Sequence, residues 1–397
     1  MRPLHLLVIV GAVAAPACGA PDPTAGDAGL PDAVVVDAAL DGPPPVTWPF
    51  PLPAGFPVPR LPADQALTAE LAELGRYLFY DVRLSANGTQ ACASCHEQAR
   101  AFTDARATAV GSTGEALRRN AMSLTNVAYN PSYTWASPLL TTLEAQALVP
   151  LFGKHPVELG ASGHEPEILA RLSADARYPT LFAAAFPDQP APITFGNVVR
   201  ALAAFERRLI SGDSRVDRFR QGQADALTAS EQRGQALFFS EELECHHCHG
   251  GFNFTIATDT ANLPAQQSYF FNTGLYQAYP ASDQGLWEFT FDDADRGRFR
   301  PPTLRNVAVT APYMHDGSVA TLDEVVAMYE RGGRLITAGP DAGDGHLHPN
   351  RSALVGGFTL TDQERVDLLA FLRALTDDTF LTDPTLADPF AAARAPE

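Results

Sequence analysis

Apolar residues recur along this chain at helical spacing in several separated stretches. Leu67, Leu71, Leu74 and Leu78 fall three or four positions apart and form one stripe, which predicts an amphipathic helix. Val198, Leu202, Phe205 and Leu209 mark another over 196–210. Three more helices open on capping boxes, Thr228-x-x-Glu231, Thr321-x-x-Glu324 and Thr361-x-x-Glu364. In such a box the threonine hydroxyl accepts an orphan N–H of the first turn and the glutamate accepts the threonine's own. The Thr321 helix stops at Gly332-Gly333, and the Thr361 helix turns Leu369 and Leu372 inward. Period-two alternation is scarce, so few strands are expected. Segments 97–140 and 250–315 are rich in Gly, Pro, Asn and Asp and read mostly as loop, of a length that wraps a ligand or forms its pocket.

The pattern repeats weakly. Gly75-Arg76-Tyr77-Leu78-Phe79-Tyr80 precedes Cys92-Ala93-Ser94-Cys95-His96, and Gly234-Gln235-Ala236-Leu237-Phe238-Phe239 precedes Cys245-His246-His247-Cys248-His249. CxxCH is the attachment motif of c-type haem: both cysteines form thioethers with one macrocycle, and the histidine supplies the proximal nitrogen to its iron. Structural zinc is the competing reading of paired cysteines. A helix leading into CxxCH is the entry of a cytochrome c fold. The chain therefore reads as mainly α, with two tandem cytochrome c-like domains over 50–220 and 221–380, a tail over 381–397, and one covalent haem c in each domain, wrapped by long loops.

Length and composition allow this: 397 residues, 46% hydrophobic and 19% charged, are enough for two cores. The net charge of −18 repels a phosphate backbone, which argues against nucleic-acid binding, and attracts a basic protein such as a small cytochrome. Arg2, the short apolar run Leu6–Val13 and Ala15-Pro16-Ala17 read as an export signal over 1–17, which fits a periplasmic protein. Cys18 follows directly, as in a lipoprotein signal, although Ala15 stands where leucine is usual. A lipid tether to the membrane through Cys18 is therefore expected, with plain secretion as the alternative. Residues 18–49, rich in Ala, Asp, Pro and Gly, read as a disordered tether.

From about residue 60 to 376 the chain resembles the bacterial dihaem cytochrome c peroxidase and MauG superfamily. The stretches that carry the resemblance are LGRYLFYDVRLS (Leu74–Ser85), the first CxxCH, LEAQALVPLFGKHPVELG (Leu143–Gly160) and PTLRNVAVTAPYMHDG (Pro302–Gly317). MSLTNVAYNPSYTW (Met122–Trp135) and LVPLFGKHPVELG (Leu148–Gly160) look closest to MauG and MbnH-type enzymes, the latter modifying a tryptophan on a partner protein.

The resemblance implies roles. His96 would hold the peroxide-reactive haem. In the peroxidase branch a second histidine, which would fall near Val110–Thr113, blocks that iron. No histidine lies between His96 and His155 here, so the position is expected to be open. Glu158 matches the distal acid/base, Gln146 its pocket partner and Pro150 a proline of the MauG pocket. His155 is a rival base, read as a loop histidine. His249 would hold the second haem, with Tyr329 as its other axial ligand where the peroxidase branch has methionine. Met328 is adjacent, but successive helical residues point about 100° apart, so both cannot face one iron. Trp135 matches the tryptophan between the haems, although Trp135-Ala136-Ser137-Pro138 departs from the usual Trp-Asp-Gly-Arg. Asn120, Thr310 and Pro312 match a calcium site. His315 is expected near the second haem, His346 and His348 in solvent, and Trp287 in a surface loop.

Three functions compete. The first is an exported peroxidase-like oxidoreductase that uses H2O2 to reach a high-valent dihaem state and oxidises a protein partner. The second is a cytochrome c peroxidase drawing electrons from a small c-type cytochrome. The third is a plain electron carrier, against which an open iron and a pocket carboxylate argue.

Overall fold

A computed structural model describes residues 47–62, 66–265 and 269–391. The export signal, Cys18, nearly all of the tether and the last six residues lie outside the described residues. The described chain is mainly helical. In order it forms α1 (Ala69–Phe79), α2 (Leu143–Phe152), α3 (Glu165–Ser173), α4 (Arg177–Ala185), α5 (Phe195–Arg207), α6 (Arg215–Arg220), α7 (Ala229–Phe238) and α8 (His246–His249). Then come α9 (Trp287–Thr290), α10 (Leu322–Arg331), the short antiparallel pair β1 (Leu335–Ile336) and β2 (Gly343–Asp344), α11 (Asp362–Ala374) and α12 (Asp378–Thr382). All three capping boxes form, at the heads of α7, α10 and α11.

The two halves repeat one local plan. In the first, α1 crosses α5, and a Cβ on Gly75 would lie 1.9 Å from the Ala201 carbonyl oxygen. In the second, α7 crosses α11, and a Cβ on Gly234 would lie 1.9 Å from the Asp367 carbonyl oxygen. The paired glycines of the sequence repeat are thus the points where two backbones touch. Phe79 packs on Phe205 and Phe238 on Phe371, with ring centroids 5.1 and 5.2 Å apart. A second repeat, Leu124-Thr125-Asn126-Val127-Ala128 and Leu304-Arg305-Asn306-Val307-Ala308, has the same logic. Both asparagines adopt the left-handed conformation, which asparagine tolerates better than most residues. The Asn126 N–H donates to Leu209 O just beyond α5, and the Asn306 N–H to Leu375 O just beyond α11.

The plan makes a test. Elsewhere in a helix, glycine to alanine gains up to about 1 kcal/mol. At Gly75 or Gly234 the sign should reverse, because the methyl group has nowhere to go without separating two helices. Gly75→Ala should lower the unfolding free energy by about 1–3 kcal/mol in a denaturant titration. A gain would show that α1 and α5 part freely.

One apolar core gathers α1 to α5 and also takes Phe380, Leu386 and Phe390 from the end of the chain. The Tyr80 hydroxyl donates to Leu386 O, and Arg76 to Ala387 O, which ties that end back to α1. A second core joins α7, α10 and α11, and a third packs Met328 with Leu275, Tyr276, Tyr279 and Val319.

Candidate functional site

The first cysteine motif follows α1 on a single 3-10 turn, Cys92–Ser94, which brings the His96 N–H to Cys92 O. His96 Nδ1 lies 2.7 Å from Phe102 O. A carbonyl only accepts, so Nδ1 carries the proton and Nε2 keeps its lone pair for a metal. Burial lowers the His96 pKa, which keeps the ring neutral. The second motif is built alike. Its histidine, on α8, sets Nδ1 3.1 Å from Pro302 O and 3.3 Å from Phe254 O. Burial pushes its pKa down to about 4. The four motif cysteines form no disulfide with one another. Among the described residues none of them belongs to a group of three converging His, Cys, Asp or Glu ligand atoms.

Cys245, Cys248 and His249 open on a largely apolar cavity that Tyr329, Trp135 and His315 also line. Tyr329 and Val325 reach it from α10, where positions four apart share a face. Met328 is buried in the third core instead and does not line the cavity. Burial raises the Tyr329 hydroxyl well above its ordinary pKa. His315 is buried flat against Phe299, with ring centroids 3.7 Å apart, and its pKa falls to about 4 through burial. His348 departs from the expected solvent exposure. It is buried, with Nδ1 3.0 Å from the Asn350 N–H and 3.2 Å from Asn272 Nδ2, because Tyr279 covers the loop. His346 is half-buried, with Nδ1 3.2 Å from Gly332 O. Trp287 stands on α9, partly exposed, under the guanidinium of Arg296 at 4.0 Å.

On the side of the first motif, α2 carries Gln146 and Pro150 on one face, a turn apart. Pro150 O accepts the Leu159 N–H at 2.9 Å, which draws the Glu158 segment onto the end of α2. Glu158 is half-buried, and burial alone raises its pKa to about 6. The loop that lacks a histidine folds against it: the Ser112 N–H donates to Glu158 O at 2.7 Å, and a Cβ on Gly111 would meet Val157 O at 1.8 Å. His155 is exposed.

The two motifs share a wall. The backbone of Met122 reaches the His96 ring, while Asn120 to Ser123 line the second cavity. The Trp135 indole N–H donates to Asn120 O at 2.9 Å, and the Arg300 N–H donates to Trp135 O at 2.8 Å, so the ring is pinned beside this wall. The Asn120 amide nitrogen donates to Arg106 O and Ala107 O, which leaves its Oδ1 for another partner. Thr310 and Pro312 border the same cavity. Such oxygen donors are of the hard kind calcium takes.

Two residues escaped the sequence reading. Arg300 is buried in the wall of the second cavity with no ion-pair partner among the described residues; its side chain meets only Thr134 O and the Met122 sulfur. A haem carries two carboxylates, so the thiols, the imidazole and this unpaired cation together fit that group. Glu206, on α5, is buried with Oε2 unpaired, and burial raises its pKa to about 8. No motif marks either residue, and only burial without a partner identifies them.

The model of the family described as di-haem cytochrome c peroxidase matches residues 69–225. The chain is 34% identical to a cytochrome-c peroxidase of Denitromonas iodatirespirans, over 98% of this chain and 96% of that protein. It is 33% identical to the methylamine utilization protein MauG of Methylorubrum extorquens, over 79% and 80%. A crystal structure of a MauG-like protein associated with microbial copper homeostasis superposes with a TM-score of 0.85 at 49% identity, covering 87% of this chain and all of that one.

Proposed function

The chain belongs to the di-haem cytochrome c peroxidase and MauG family, whose members act on hydrogen peroxide, and from this premise we propose that it oxidises a protein partner in the MauG manner. The observation that carries this reading is the choice made by α10: Tyr329, not Met328, faces the cavity of His249. Haem held by Cys92, Cys95 and His96, and by Cys245, Cys248 and His249, supplies the two-electron reduction of peroxide. Tyr329, which lines the same cavity as His249, would offer its phenolic oxygen to the iron of that haem. A phenolate oxygen there favours the more oxidised iron, whereas a thioether favours ferrous iron.

Glu158 takes a proton from one peroxide oxygen and returns it to the other, and its raised pKa suits both transfers. Gln146 and Pro150 shape the space above the His96 site. Trp135 relays charge across the wall at Asn120–Ser123, and Asn120, Thr310 and Pro312 would hold a calcium ion beside it. Among the described residues no helix is long and apolar enough to cross a membrane. We place the protein in the periplasm, with Cys18 as its lipid anchor. The relative associated with copper homeostasis points to an exported copper-handling protein as the partner.

Peroxide titration of the as-isolated diferric protein tests the reading by optical and EPR spectroscopy. A high-spin ferric signal that bleaches without pre-reduction, followed by slow reaction with reduced cytochrome c, supports it. Peroxide that does nothing until one haem is reduced, followed by fast cytochrome c turnover, replaces it with a detoxifying peroxidase.

A further inference from the structure

Haem attachment uses Cys245, Cys248 and His249 and leaves the two residues between the cysteines free. Both are histidine here, and the fold supplies them with carboxylates. After α7 the chain doubles back, with the Glu244 N–H donating to Ser240 O and the His247 N–H to Glu244 O. That turn sets Glu241 and Glu244 against the imidazoles. His246 Nε2 lies 3.5 Å from one Glu241 oxygen and His247 Nε2 3.2 Å from the other, while Glu244 Oε2 lies 3.0 Å from His247 Nε2. The ligand atoms of Glu241, His246 and His247 all fall within 4.8 Å of one another. The two rings lie 4.2 Å apart, and Phe239 packs beside His246. His246 Nδ1 is buried with no hydrogen-bond partner among the described residues.

We propose that Glu241, His246 and His247, with Glu244 beside them, form a site for Cu(II) or Zn(II) at the rim of the second haem motif. Imidazole and carboxylate are the donors these ions take, and copper leads the divalent series at such a set. The two carboxylates match the ion's charge. Glu241 is exposed, so the ion enters from solvent, and water completes its shell. The site does not depend on the partner proposed above. It does have a consequence for the haem. His247 sits in the same helical turn as His249, so a divalent cation there opposes further oxidation of the second haem and raises its reduction potential.

The test uses the haem-loaded chain, stripped with a chelator and titrated separately with copper(II) and zinc salts. Wild type should retain one equivalent through gel filtration, and the copper EPR signal should carry hyperfine structure from two nitrogens. Glu241→Ala and His247→Ala should each weaken binding by at least about tenfold, since even residues outside the ligand set often matter that much. His247→Ala should also drop one nitrogen from the spectrum. Glu241 lies outside the attachment motif, so its variant keeps the haem, and a pyridine haemochrome assay verifies this for both variants. The second haem's potential should rise on metal addition in wild type and in neither variant. Uptake that both substitutions leave unchanged, or no ion retained by wild type, overturns the proposal.

Discussion

Glu158→Gln should slow the reaction of peroxide with the diferric protein by about 10²–10⁴, the usual contribution of a positioned acid/base. Glutamine keeps the size and hydrogen-bonding capacity of the side chain but cannot carry the proton. The pH profile provides the second reading. With its pKa raised to about 6, Glu158 becomes an effective base as pH rises from 5 to 7, so the wild-type rate should climb through that window and level off. In the variant the climb should vanish. Stability should move the other way. Burial makes the folded state hold this proton more tightly than the unfolded chain, so ionisation between the ordinary glutamate value and about 6 opposes folding. Glu158→Gln should therefore melt no lower than wild type at pH 7, and its advantage should shrink towards pH 5. A slow variant with intact melting isolates the chemistry from the fold. A variant of unchanged rate would remove Glu158 from the reaction and leave Glu206, buried near Cys92, as the carboxyl to test next.

Much of this site was legible because attachment chemistry imposes strict spacing. The two CxxCH motifs mark where haem would attach, and the capping threonines mark three helix starts that the structure keeps. The face of α10 was legible too, because helical geometry forces Met328 and Tyr329 apart and the neighbouring Val325 shows which of them looks inward. What escaped has a common cause: its meaning lies in contacts distant along the chain. Arg300 reads as one more charged residue in a polar loop until the backbone of Trp135 is seen against it. His348 reads as solvent-facing until Tyr279 and Asn272 close over it. The segment after Thr376 has no strong periodicity, yet Phe380 and Phe390 complete the core of α1 to α5. The described parts of loops 97–140 and 250–315 make isolated bridges and single turns, and residues of both line the cavity of the second motif.

Tyr329→Met should raise the reduction potential of the second haem by a few tenths of a volt, within the span of about 0.8 V that axial ligands command. Burial holds Tyr329 protonated, so a phenolate forms only if a cation lies beside it, and the ferric iron of a haem held by His249 would be that cation. A thioether in its place carries no charge and prefers ferrous iron, so the oxidised state loses its support. The variant should need one-electron reduction before it reacts with peroxide, and it should then turn over reduced cytochrome c faster than wild type. Met328→Leu is the control. That side chain packs with Leu275 and Tyr279 and does not itself line the cavity, so a leucine in its place should leave the potential unchanged. Should Tyr329→Met also leave the potential and the peroxide reaction as they were, Tyr329 would be an ordinary core tyrosine. The proposed function would then lose the observation that distinguishes it from a detoxifying peroxidase.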